Sequence, residues 1–125
     1  MRTPEWQPVE LGSVDGFRFV LSFEPEDISM DDHFIGQGGW SVNDYKSIKN
    51  YYWFCAKVTA YKGIVACGDS YLGGNCYKNK KDVFGDFKLT SASPFWNNVS
   101  TLLSGYGTQM IQDAIAEANE NLETN

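Results

Sequence analysis

The chain has 125 residues, 42% of them hydrophobic and 21% charged, with a formal net charge of −6. That length and balance give a single domain over residues 1–125 with a core of its own, and they exclude a disordered chain. Three cysteines without C-x-x-C spacing exclude a disulfide scaffold, and no apolar run approaches the roughly 20 residues of a membrane span. No signal peptide is read at the start of the chain, so Cys55, Cys67 and Cys76 are expected as reduced thiols in a cytoplasmic protein.

Residues 1–16 are polar, with Pro4 and Pro8, and read as an extended arm or an edge strand. In residues 17–23, Phe17, Phe19, Leu21 and Phe23 alternate on one face, which predicts a strand. Glu24, Pro25, Glu26 and Asp27 end it. Residues 28–42 are glycine-rich and acidic and read as a long surface loop. A short helix is expected over 42–50, capped by Ser41, with Tyr45 and Ile48 as neighbours on its surface.

The run 51–61 is aromatic and β-branched and has no Gly or Pro. Tyr52, Phe54, Ala56, Val58 and Ala60 form an apolar face. Tyr51, Trp53, Cys55, Lys57, Thr59 and Tyr61 form an amphipathic one. This is a long central strand, and its second face is expected to meet solvent, a loop or a partner. Lys62 and Gly63 predict a tight turn, and the returning strand begins at 64–67 and is carried toward Tyr71 and Leu72. Gly73 and Gly74 predict a second turn before a strand at 75–77. Residues 78–81 read as a basic exposed connection. Val83, Phe84 and Phe87 mark a short apolar element of undefined type.

Ser93 and Pro94 start a helix whose apolar side is Phe95, Trp96, Val99, Leu102 and Leu103. Ser104 and Gly105 close it. A second helix is expected from about Thr108, with Met110, Ile111, Ala114, Ile115, Ala118 and Leu122 as its buried stripe. The fold class is therefore α+β: an antiparallel sheet of about four strands with the C-terminal helices packed on one face.

Charge is segregated along the chain. Residues 1–42 hold eight acids against two arginines, 43–92 hold eight lysines against four aspartates, and 93–125 hold four acids and no base. Asp113, Glu117, Glu120 and Glu123 recur at helical spacing and share one helix face. With Asp31 and Asp32 they form an acidic surface expected to meet a basic partner. The alternative site is the aromatic-basic strand face. There Tyr51, Trp53 and Tyr61 can stack bases or a small ligand while Lys57 and Lys62 neutralise phosphates.

Catalytic patterns are weak. Asp31, Asp32 and His33 are the one carboxylate–histidine cluster, but adjacent residues rarely aim at one point. Gly36, Gly38 and Gly39 resemble a phosphate-binding loop, yet Ser41 stands where a third glycine is needed and no P-loop lysine follows. No Cys–His pair can be assembled from the spacing. No catalytic residue, metal site or cofactor is expected.

Trp53, Lys57 and Ala60, followed by Tyr71, Leu72, Gly73, Gly74, Asn75, Cys76 and Tyr77 and then the acidic C-terminal helix, resemble small acidic accessory proteins of phages and plasmids. The resemblance covers 51–77 and 107–122, about a third of the chain. It implies a non-enzymatic inhibitor that binds a host protein or complex, such as a nucleic-acid-binding defence complex of the restriction or CRISPR type. No membrane partner is expected, and a symmetric homodimer stays open as an alternative use of the aromatic face.

Overall fold

The computed structural model describes residues 2–86 and 106–123. The chain forms β1 (Val9–Val14), β2 (Phe17–Glu24), a π-helical segment (Asp32–Gln37), α1 (Val42–Lys46), β3 (Tyr52–Lys62), β4 (Val65–Tyr77), α2 (Lys80–Asp86) and α3 (Tyr106–Glu123). The four strands make one sheet in the order β1-β2-β3-β4, every neighbouring pair antiparallel. The expected α+β architecture is present, with α3 packed on β4 and β3. No helix among the described residues is long and apolar enough to cross a membrane.

Each strand follows from its local chemistry. Asp15 and Gly16 both take positive φ, 55° and 84°, which suits a tight hairpin between β1 and β2. Of the two readings open for the N-terminal residues, the edge strand holds for β1, and the preceding residues run as an arm. Arg2 pairs with Tyr52 as an isolated parallel bridge, and its guanidinium stands 4.0 Å over the Tyr52 ring. The β3–β4 turn consists of Gly63, at a φ of +65°, and Ile64.

The inner face of the sheet carries the core. Phe19 and Leu21 of β2, with Phe54, Ala56, Val58 and Ala60 of β3, are completely buried. Met110, Ile111, Ala114 and Ala118 of α3 and Val83 of α2 close over them. Trp6 seals one end, its ring centroid 5.0 Å from Phe23 and 4.8 Å from Tyr52. Small residues where α3 crosses allow close contact. A Cβ on Gly68 would stand 2.6 Å from the Ala114 carbonyl oxygen and 2.6 Å from the Ala118 nitrogen. Asn121 then donates its side-chain amide to the Cys67 carbonyl at 2.7 Å.

Several expectations need correction. Gly73 and Gly74 make no turn: β4 runs unbroken from Val65 to Tyr77. Phe54 pairs with Asn75 and Ala56 with Leu72, so the glycines form a bulge in one strand. Asn75 donates to the Phe54 and Leu72 carbonyls, and the Glu26 carboxylate accepts from the Gly74 N–H at 2.6 Å, which pins that bulge. The segment read as a loop contains the π-helical turns, where Gly38 N–H reaches the His33 carbonyl. The element left undefined at Val83 and Phe84 is α2, and the helix expected from about Thr108 is α3, which starts at Tyr106. Leu122, assigned to the buried stripe, is 42% exposed. The helix expected around 93–105 lies outside the described residues.

Candidate functional site: the acidic face of α3 and the outer sheet face

Alternation along β3 sends Trp53, Cys55, Lys57, Thr59 and Tyr61 to the side of the sheet opposite α3. The connection between β2 and β3 folds over one end of that side. Trp53 is only 2% exposed. His33 and Phe34 lie against it at 5.0 and 5.7 Å between ring centroids, and Trp40 packs on Phe34 at 4.8 Å. The indole N–H donates to the Ile28 carbonyl at 2.9 Å. Trp53 is thus a core residue of a second, smaller aromatic layer. It leaves no free ring face for a base to stack on, which removes it from the aromatic ligand site read in the sequence.

On the rest of that face Thr59 is buried, and the half-buried charged and aromatic side chains satisfy one another. Lys57 Nζ lies 3.6 Å from Glu24 and 5.5 Å from the Tyr71 ring centroid. Partial burial pulls its pKa down, but the Tyr71 hydrogen bond and the Asp69 and Glu24 carboxylates outweigh this and hold the ammonium above its ordinary range. Tyr61 is covered by the Arg18 guanidinium at 4.8 Å, and Arg18 in turn pairs with Glu10. Sequence reasoning missed Arg18 here; its register opposite Tyr61 is visible only once β2 and β3 are paired. Tyr51 is half-buried, and its carbonyl accepts from Arg2 N–H. Lys62 is exposed at the far end of β3. The five residues grouped in the sequence as a ligand face do not converge on one concavity.

The groups clustered in the sequence are engaged in local packing and hydrogen bonds. Among the described residues no three His, Cys, Asp or Glu side chains are placed to hold a metal ion. His33 is occupied in ring packing. A hydrogen bond with Ser29 holds the Asp31 carboxyl below its ordinary range. The glycine loop spends backbone donors on itself: Gly38 N–H goes to His33 and Trp40 N–H to the Phe34 carbonyl. Burial pushes the Cys55 and Cys76 thiols up, the opposite of nucleophile activation, although Cys76 lines an open cleft with Lys78 and Lys81.

The acidic residues divide between the two sides of the sheet. Asp113, Glu117, Glu120 and Glu123 are all exposed on the outward side of α3. Asp31 and Asp32 are exposed beside the segment that covers Trp53, on the other face. The structure does not bring the two groups together, so one flat partner surface cannot meet both. The helix has no acidic residue in its first turn and no basic residue in its last. That placement runs against the macrodipole, which favours carboxylates at the start of a helix and cations at its end.

Comparison with protein-family models, with curated proteins and with solved structures gives no match.

Proposed function

We propose that this protein is a non-enzymatic inhibitor that docks on a host defence complex, presenting the acidic outer face of α3 to a basic, nucleic-acid-binding surface. The observation that carries the reading is the placement of Asp113, Glu117, Glu120 and Glu123. All four are exposed on α3, a helix whose last turn holds no basic residue. Helix stability alone disfavours this arrangement. Carboxylates in a row can occupy positions that phosphates take on a basic groove, and complementary fields speed the encounter. The resemblance to phage and plasmid accessory proteins points to the same class of partner. Asp31 and Asp32 stand outside this surface.

The test is a variant carrying Asp113→Asn, Glu117→Gln, Glu120→Gln and Glu123→Gln, compared with Asp31→Asn and Asp32→Asn in the same background. The helix variant is expected to fold at least as stably, because it relieves the dipole conflict. It should bind the partner at least about tenfold more weakly, with a reduced dependence on salt. A folded helix variant that retains every protein bound by the wild type would remove this proposal.

A further inference from the structure

We propose that the cleft between the end of the sheet and α2 binds a free nucleoside monophosphate. The cleft measures about 640 Å³, within the range of small-molecule sites, and none of its lining residues belongs to α3. Its wall carries residues that the fold does not call for. Lys78 and Lys81 are exposed, and among the described residues neither ammonium pairs with a carboxylate. Gly85 stands in α2 without a positive φ, so its backbone angles do not require glycine. A Cβ there would meet nothing within 4 Å, so no close contact requires it either. Glycine weakens a helix. What it does here is leave the cleft wall bare.

The remaining walls are fixed by hydrogen bonds. Tyr51 N–H donates to the Ile48 carbonyl at 2.9 Å, and the Tyr51 carbonyl accepts from Arg2 N–H at 3.0 Å. The Tyr77 hydroxyl donates to the Asp86 carboxylate at 2.7 Å. The Arg2 guanidinium donates to the Lys78 carbonyl at 3.2 Å, which brings a third cation to the rim. This mixed inventory defines the ligand. Inorganic phosphate would use only the cations, and a basic peptide only the acids. A free amino acid carries both charges but leaves most of the space empty. A nucleoside monophosphate uses every part. Its phosphate sits on Lys78 and Lys81, its hydroxyl or N–H groups donate to the Asp82 carboxylate, and its planar base lies against Tyr51.

The experiment titrates the full chain with AMP, GMP, CMP and UMP. It also follows alkylation of Cys76, which lines the cleft, by iodoacetamide at pH 9, with Cys55 as internal control. At least one nucleotide is expected to bind with a Kd below about 1 mM and to slow Cys76 at least fivefold, with Cys55 unchanged. Lys78→Gln with Lys81→Gln should weaken that binding about tenfold. Gly85→Leu should weaken it as much while Tm holds or rises, which separates a filled cleft from a damaged fold. Inorganic phosphate should bind at least tenfold more weakly than the nucleotide. No binding of any of the four at about 5 mM overturns the proposal. So does binding that leaves Cys76 unprotected, that survives both variants, or that inorganic phosphate equals.

Discussion

Gly68 of β4 and Ala118 of α3 meet so closely that a single methyl group on the glycine would lie 2.6 Å from the Ala118 nitrogen. The atoms on the other side are helix backbone and cannot rotate away. Gly68→Ala is therefore expected to lift α3 off the sheet, costing about 2–3 kcal/mol and lowering Tm by roughly 10 °C. Thermal unfolding followed by circular dichroism checks this. An unchanged Tm would show that α3 is not seated as described. The same variant should disturb the acidic face, because that face is positioned by the Gly68 contact.

Trp53 gives a second expectation. Trp53→Phe keeps most of the buried ring but leaves the Ile28 carbonyl without its indole donor, at a cost of about 1–2 kcal/mol. Urea denaturation should show a lower midpoint with an unchanged slope. The difference in emission between wild type and Trp53→Phe should be insensitive to added nucleotides. Quenching of that difference signal by a nucleotide would mean that the ring is accessible after all.

Thiol reactivity gives a third. Burial raises the pKa of Cys55 and Cys76, and Cys67 is buried. A raised pKa means less thiolate at neutral pH than a free cysteine with a pKa of about 8.5 provides. Alkylation by iodoacetamide at pH 7.5 should therefore run at least tenfold slower in the native protein than in urea. Its rate should keep climbing with pH beyond the range where a free thiol has levelled off. Rapid native modification of Cys76 would instead point to an activated thiol in the cleft beside Lys78 and Lys81.

The period-two pattern from Tyr52 to Ala60 placed the inner face correctly, because only one set of side chains in that strand is apolar throughout. The same pattern put Trp53 on the outer face but held no information about what covers it. His33, Phe34 and Trp40 lie in a stretch whose glycines look like a loop, and the packing of His33 and Phe34 on Trp53 joins residues far apart in the chain. Paired glycines at 73 and 74 suit a turn and a bulge equally well. What distinguishes the two is the partner strand, together with Glu26, 48 residues away from Gly74. Helical spacing grouped Asp113, Glu117, Glu120 and Glu123 on one face. It could not reveal that Asp31 and Asp32 end on the far side of the sheet, since sidedness is a property of the assembled layers.

The bulge at Gly73 and Gly74 has one more implication. Between Phe54 and Ala56 there is a single residue on β3, whereas between Leu72 and Asn75 there are two on β4. A chain one residue shorter at this point would keep every cross-strand pair on both sides of the bulge. The additional glycine thus adds nothing to pairing and serves curvature: it bends the edge of the sheet, and the Glu26 carboxylate holds that bend in place.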